Sequence, residues 1–338
     1  MKTFKDSELK TFEQLAMLKQ GSLKKVLASF LQKHYKRVIN TKEYIFAEGE
    51  IPVAVCAHMD TVFAEPPEEI YFDPKKNVLF SPDGLGADDR AGIFGIIQLI
   101  RAGYRPHIIF TTDEEVGGYG ASVLAELDCP FSELKYIIEL DRRGANDCVF
   151  YECENPDFTE YVESFGFVKN FGTYTDICEL CPAWKVAGVN LSIGYRDEHS
   201  YTEVLFVGQM LATIDKVKKM LDDAKHLAAP FEYIPSPFRI SKYSNLAYGW
   251  DFGDTKDGRA VLKCNHCGKY YMEEEMFPVV MLDKTTQFYC PDCLVSNVSW
   301  CIVCGNAFQK KHASDPDDGV CIFCKERREK NEQIVNSN

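Results

Sequence analysis

The pattern of apolar and polar positions divides the chain into a long first part rich in regular elements and a shorter second part. Residues 8–36 carry apolar side chains at helical spacing on both sides of Gly21, which predicts two amphipathic helices. Alternating or continuous apolar runs predict six strands, at 43–47, 51–57, 107–112, 135–140, 147–151 and 185–193. Apolar residues at helical spacing predict four helices between or after these strands, at 89–102, 117–127, 156–165 and 203–224.

Strands that alternate with helices are typical of an α/β domain with a mixed, mostly parallel sheet and helices on both sheet faces. We expect this domain to span residues 1–228. Residues 229–262 are rich in proline, serine, glycine and aromatic residues, which indicates a connector. A small zinc-ribbon-like domain is predicted at 263–328, and a polar tail at 329–338.

Composition and charge narrow the class of protein. The chain has 338 residues, of which 46% are apolar and 26% charged, as in an ordinary globular protein. A formal net charge of -13 disfavours an affinity that depends mainly on nucleic-acid phosphates. No apolar run is long enough to span a membrane, and the first residues lack the apolar region of a secretion signal. We therefore expect a cytoplasmic protein, in which 14 cysteines are thiols and metal ligands and not disulfides.

Metal-binding types of side chain recur where predicted strands end or helices begin. The set, in chain order, is His58, Asp60, Asp88, Asp89, Glu114, Glu115, Asp141 and His199. Each member alone has an ordinary interpretation: a histidine at the edge of the core, an aspartate that caps a helix, or a solvated acidic loop. An open α/β sheet, however, places its site outside the carboxyl ends of its strands. Imidazoles and carboxylates that converge there predict a two-metal hydrolytic site.

The order of these residues resembles the superfamily of co-catalytic zinc exopeptidases, over about residues 50–225. That superfamily includes peptidase T, the glutamate carboxypeptidases and the glutamyl aminopeptidases. The shared pattern is H-x-D, then D-D-R, E-E, D and H, and the strings D-D-R-A-G and D-E-E-V-G look closest to peptidase T and the glutamyl aminopeptidases.

The resemblance implies a role for each position. Asp88 would bridge two zinc ions, with Co²⁺ or Mn²⁺ as alternatives. His58 and Asp141 would hold one ion, and Glu115 and His199 the other. Glu114 would be the general base and Asp60 would orient His58. The substrate would be a peptide or a small amide.

One departure from the superfamily concerns its lid or dimerisation domain. Only 57 residues lie between Asp141 and His199, which leaves no room for that domain. Substrate contacts must then come from elsewhere. The candidates are Arg142, Arg143, Asp176, Tyr195 and Arg196.

Four Cys-x-x-Cys pairs occupy the second part of the chain. They supply eight thiolates, from Cys264, Cys267, Cys290, Cys293, Cys301, Cys304, Cys321 and Cys324. This number predicts two closed, structural four-cysteine zinc sites. Sequential pairing would join the first two pairs and the last two, and cross-braced pairing would join alternate pairs; the spacings favour the sequential form.

The cysteine-rich region also suggests a partner. From residue 264 onward it carries 8 Lys/Arg against 11 Asp/Glu, so a protein partner is favoured over nucleic acid.

Two classes of function remain open. The first is a two-metal hydrolase, either an exopeptidase on short peptides or an amidase or deacylase on a non-peptide substrate. The second is a binding or regulatory protein whose zinc ribbons do the work on an inactive hydrolase scaffold. A complete set of metal ligands favours the enzyme.

Overall fold

The computed structural model describes residues 2–172, 174–235, 261–272, 276–281, 285–301, 303, 307–310, 320–322, 324 and 325. The chain divides into two compact units, Met1–Ile240 and Ser241–Asn338. None of the helices among the described residues is long and apolar enough to cross a membrane.

The first unit is built on an eight-stranded sheet and a smaller four-stranded sheet. Its strands are β1 (Arg37–Asn40), β2 (Tyr44–Glu48), β3 (Ile51–His58), β4 (Tyr71–Asp73), β5 (Val78–Phe80), β6 (Pro106–Thr111), β7 (Tyr136–Arg142), β8 (Asp147–Val149), β9 (Val168–Lys169), β10 (Gly188–Ser192), β11 (Tyr195–Arg196) and β12 (Val204–Phe206). The large sheet has the order β1-β2-β6-β3-β7-β10-β8-β9, and its central strands β6, β3, β7 and β10 are parallel. The small sheet has the order β11-β12-β5-β4 and is antiparallel.

Seven helices cover the large sheet. They are α1 (Asp6–Ala16), α2 (Gln20–Gln32), α3 (Ala87–Arg101), α4 (Tyr119–Ala125), α5 (Pro156–Ser164), α6 (Ile177–Trp184) and α7 (Val207–Ala224). Side chains of α1, α2, α3, α5 and α7 share one apolar core with one sheet face. Side chains of α4 and α6 form a second core on the opposite face. The predicted α/β class, a mixed and mostly parallel sheet with helices on both faces, is confirmed.

Several short elements differ from the sequence prediction. The helix expected over 203–224 begins only at Val207, because residues 204–206 pair with β5 as a strand. That partner lies more than a hundred residues away, so helical spacing alone hides the strand. Helix α6 was not predicted; it contains Pro182, which weakens the helical signal.

The second unit consists of small antiparallel hairpins. Its elements are β13 (Val261–Lys263), β14 (Tyr270–Met272), β15 (Phe277–Val280), β16 (Thr286–Tyr289), α8 (Pro291–Asn297), β17 (Val298–Trp300) and β18 (Ala307–Gln309). Among the described residues of this unit few apolar side chains are buried, and cysteines are among them. So small a core ordinarily needs disulfides or metal ions to be stable. Most of the predicted connector, 236–260, and the predicted tail lie outside the described residues.

Gly92 allows α3 to approach β7 closely. A Cβ atom at this position would lie 2.3 Å from the carbonyl oxygen of Leu140 and 2.5 Å from both carboxylate oxygens of Asp89. The backbone oxygen cannot move without displacing the strand. The absence of a side chain therefore allows the short distance between α3 and β7, the strand that carries Asp141.

We expect Gly92→Ala to lower the free energy of unfolding by about 1–3 kcal/mol, the usual cost of overpacking. Urea denaturation measures this change. The matched control is Gly21→Ala, because a Cβ there meets nothing within 4 Å; it should cause no loss. Equal stability of the two variants would contradict the close helix–strand approach.

Candidate metal centre

The candidate ligands gather at the carboxyl edge of the central strands. His58 is the last residue of β3, and Asp141 lies near the end of β7. Glu115 follows β6, Asp88 lies in the first turn of α3, and His199 lies in the loop between β11 and β12. The structure thus brings all five predicted metal-ligand side chains of the first unit to one place, in two groups that share Asp88.

The first group comprises His58, Asp88 and Asp141. The Nε2 atom of His58 lies 3.0 Å from Oδ1 of Asp88 and 3.4 Å from Oδ1 of Asp141. The His58 ring is fully buried at the end of its strand. Burial alone would lower the pKa of His58, but Asp141, Asp60 and Asp88 raise it well above its usual value.

The second group comprises Asp88, Glu115 and His199. The Nε2 atom of His199 lies 3.2 Å from Oδ2 of Asp88 and 3.0 Å from Oε2 of Glu115. Burial opposes the charged imidazole, yet the two carboxylates raise the pKa of His199 to about 11. The position therefore favours positive charge strongly.

The donor set fits a pair of divalent cations. Each Nε2 atom faces two carboxylate oxygens, and a single ring proton cannot be donated well to both. A cation placed among the three groups satisfies them together. In each group the ligand atoms lie within 4.8 Å of one another, and nitrogen and oxygen donors suit Zn²⁺, Mn²⁺ and Co²⁺. The two oxygens of Asp88 serve different groups, as a bridging carboxylate requires.

Asp60 organises the residues around His58. Its Oδ1 atom lies 3.3 Å from Nδ1 of His58. The same carboxylate accepts hydrogen bonds from the backbone amides of Glu114, at 3.1 Å, and Glu115, at 3.0 Å. Asp60 thus links the end of β3 to the loop after β6, which fixes the histidine ring and the two glutamates relative to each other.

The Glu114 side chain lies among the same charged groups but belongs to neither ligand group. Burial raises the pKa of its carboxyl well above the ordinary value, and Asp141, Asp176 and Glu115 raise it further, while His58 opposes them. A carboxylate that lies beside the ligand groups and is not itself needed as a ligand is available for proton transfer.

The two neighbouring aspartates at the start of α3 have separate tasks. Asp88 faces the histidines, whereas Oδ1 of Asp89 accepts a hydrogen bond of 2.9 Å from the amide of Gly92. Asp89 therefore caps the helix, which was the ordinary interpretation of this patch. The resemblance had implied a bridging role for Asp88 and none for Asp89.

Glu203 supports Asp88 from behind, and sequence reasoning missed it. Its carboxylate accepts hydrogen bonds of 3.0 Å from the amides of Ala87 and Asp88. Burial, with a contribution from Asp88, raises the pKa of Glu203 to about 8. Glu203 lies next to β12, so the unpredicted pairing of β12 with β5 brings it to the site. No local pattern in the sequence marks this role.

Asp141 is held by three further polar groups. The hydroxyls of Thr175 and Tyr195 donate to its two oxygens, at 2.9 Å and 3.0 Å, and Oδ1 of Asn190 accepts from its amide at 3.0 Å. Tyr195 was expected to contact substrate, together with Asp176. Both side chains are buried in the structure, and their contact with substrate stays a prediction.

The three arginines proposed as substrate contacts each have an intramolecular partner. Arg143 pairs with Glu198 at 2.9 Å. Arg142 donates to the carbonyl oxygen of Phe171 at 2.8 Å, and the Arg196 guanidinium lies 5.1 Å from the ring centre of Phe206. A role in binding a substrate carboxylate would require these contacts to be exchanged.

The fold of the first unit is similar to that of solved peptidases. No protein-family model matches the sequence, and no curated protein matches it. The aminopeptidase PepT from Bacillus cereus is 14% identical, with a TM-score of 0.51, and covers 64% of this chain and 98% of its own. A tripeptidase from Staphylococcus aureus is 11% identical, with a TM-score of 0.53, over 65% and 98%.

A third solved structure extends this likeness to an archaeal protein. It is a TET aminopeptidase from a marine-sediment archaeon of the Thaumarchaeota, 12% identical, with a TM-score of 0.51, over 66% of this chain and 99% of its own. At such identities the likeness establishes a shared fold and nothing more.

The cysteines of the second unit form two groups. Cys264, Cys267, Cys290 and Cys293 lie with their sulfur atoms within 4.8 Å of one another. Cys301, Cys321 and Cys324 form the other group, and Cys304 lies outside the described residues. This grouping is the one that sequential pairing requires. The hydrogen bond from the Lys269 backbone has the largest effect among the contacts that lower the pKa of Cys267 to about 7. The lower pKa favours the thiolate, the form of cysteine that binds a metal ion.

We expect Glu203→Gln to weaken the candidate centre, because an amide offers one acceptor oxygen where the carboxylate offers two. One backbone amide would then lose its partner, at a cost of about 1–3 kcal/mol in the free energy of unfolding. Urea denaturation and competition with a chelator measure stability and metal retention. Glu198→Gln is the control, because its surface contact with Arg143 is worth at most about 1 kcal/mol. Equal behaviour of both variants would contradict the supporting role of Glu203.

Proposed function

We propose that the first unit is a metal-dependent peptidase that hydrolyses short peptides from their amino ends. The observation that carries this proposal is the division of the Asp88 carboxylate between two imidazoles, each with a second carboxylate beside it. His58, Asp88 and Asp141 would hold one ion, and Asp88, Glu115 and His199 the other.

The chemistry divides between the ions and the chain. A bound pair of divalent cations supplies Lewis acidity, which acidifies water and stabilises the negative charge that develops on a carbonyl oxygen. Glu114 would take the proton of the attacking water and return it to the leaving amine. Asp60 accepts a hydrogen bond from the backbone amide of Glu114 and lies beside Nδ1 of His58. It would therefore hold Glu114 in a fixed position relative to His58 during the proton transfer.

The contacts of the neighbouring arginines agree with cleavage from the amino end. The arginines that a terminal carboxylate would need are engaged with Glu198, Phe171 and Phe206. The solved structures with a similar fold include an aminopeptidase and a tripeptidase, which agrees with a short peptide as substrate.

For the second unit we propose two structural zinc ions. Cys264, Cys267, Cys290 and Cys293 would bind one. The described group of Cys301, Cys321 and Cys324 would bind the other together with Cys304. Closed thiolate sites have no position for a substrate, so these ions would stabilise the fold, and the unit would offer a surface to a protein partner.

We expect Glu114→Gln to reduce turnover by about 10²–10⁴-fold, the usual contribution of a general base, with the metal content unchanged. Hydrolysis of a dipeptide series and elemental analysis measure the two quantities. Glu126→Gln, an exposed position at the end of α4, is the control and should leave both unchanged. A Glu114→Gln protein that keeps its metals and full activity would refute the mechanism.

A substrate screen separates the competing functions. The metal-loaded chain should release single residues from peptides with a free amino end, and chelation should stop the reaction until Zn²⁺, Co²⁺ or Mn²⁺ is restored. Hydrolysis of N-acyl amides alone would indicate the amidase or deacylase. Absence of turnover on every amide, with zinc retained by the cysteines, would indicate a binding protein on an inactive scaffold.

We expect Cys290→Ser to lower the zinc content by one ion per chain and to destabilise the second unit, because a four-thiolate site tolerates the loss of a ligand poorly. Elemental analysis of the full chain measures the first effect. Cys129→Ser is the control, since Cys129 is a partly buried free thiol outside the thiolate groups. Equal zinc content in both variants would contradict a metal site at Cys290.

A further inference from the structure

A second group of ligand-type side chains lies beneath the candidate metal centre. Cys56 on β3 is paired in register with Glu139 on β7, and Asp176 lies at the start of α6. All three side chains are buried, and their ligand atoms lie within 4.8 Å of one another. The strand period of two places Cys56 on the same sheet face as His58, and Glu139 on the same face as Asp141.

The hydrogen bonds of the two carboxylates are incomplete. Oε2 of Glu139 accepts from the amide of Ile177 at 3.3 Å, and Oδ2 of Asp176 accepts from the hydroxyl of Thr111. The remaining oxygens, Oε1 of Glu139 and Oδ1 of Asp176, have no hydrogen-bond partner. Buried polar atoms without a partner are costly, so each one in a folded protein calls for an explanation.

The balance of charge around this group is also incomplete. Six carboxylates in the first unit are buried, namely Asp60, Asp88, Asp89, Glu139, Asp176 and Glu203. Among the described residues, the buried side chains with a fixed positive charge are Arg90 and Lys135. Lys135 pairs with Glu133, and Arg90 donates to the carbonyl oxygens of Met59, Asp60 and Leu18. Neither reaches Glu139 or Asp176 with a hydrogen bond or ion pair.

We propose that Cys56, Glu139 and Asp176 bind a third metal ion in the first unit, a thiophilic divalent cation such as Zn²⁺. One thiolate and two carboxylates are ligands that Zn²⁺ accepts, and the thiol proton leaves as the ion binds. The ion satisfies the two orphaned oxygens and offsets two buried negative charges. The proposal does not depend on the proposed hydrolytic function.

The site has a positioning role. Its ligands lie two residues before His58 and two residues before Asp141, on the neighbouring strands that carry them. An ion that ties Cys56 to Glu139 therefore fixes the spacing of these strands just below the candidate centre. The three ligand side chains are buried, so the bound ion is shielded from solvent.

The direct test is anomalous diffraction from crystals of the full chain, expressed with added zinc and purified without chelator. Data collected above and below the zinc absorption edge should show a peak between Cys56, Glu139 and Asp176, separate from peaks at the His58 and His199 groups. Peaks elsewhere with none at this position would overturn the proposal and indicate a proton held between the two carboxyls. Empty His58 and His199 groups would count against the hydrolase alone.

Elemental analysis in solution provides the second test. Cys56→Ala should lose one zinc ion per chain relative to the unsubstituted protein. Cys148→Ala is the matched control, because Cys148 is an equally buried thiol on β8 that belongs to no ligand group among the described residues. Equal zinc content in the two variants would overturn the proposal, and the diffraction test stands even if one variant fails to fold.

Discussion

The structure of the first unit depends on the sharing of one carboxylate between two imidazoles. The two oxygens of Asp88 face His58 and His199, which lie on elements far apart in the chain. Since a carboxylate is rigid and planar, both histidines must approach it from set directions. The backbone of Asp88 is fixed in turn by Glu203, and Asp89 accepts a hydrogen bond from the amide of Gly92 where the regular part of α3 begins.

This arrangement concentrates negative charge in a poorly solvated region. Burial and neighbouring acids raise the pKa of Asp141 and of Glu115 to about 6. Burying carboxylates together costs free energy unless positive charge is supplied, and divalent cations supply it. Buried carboxylates carry this cost both in the groups around Asp88 and in the group around Glu139. Binding of the proposed ions would therefore be coupled to folding of this unit.

The sequence predicted the parts of the site that follow from local patterns. His58 and Asp60 could be placed because the apolar strand before them is continuous, and Glu114 and Glu115 because β6 ends just before them. Glu203 and Thr175 were not predicted, and Tyr195 was named only as a candidate substrate contact. Their contacts with Asp88 and Asp141 join segments that only the folded chain brings together. Similarly, Asp176 was a candidate for substrate contact, because nothing in its local sequence reveals that it is buried at the start of α6.

Paramagnetic resonance of the Mn²⁺-loaded chain shows whether Asp88 joins two cations. Mn²⁺ prefers oxygen and nitrogen ligands, so it should not bind at the thiolate sites. We expect the spectrum of a spin-coupled pair in the unsubstituted protein, and loss of the coupling in Asp88→Asn. Separate single-ion signals in the unsubstituted protein, or coupling that survives in Asp88→Asn, would contradict it.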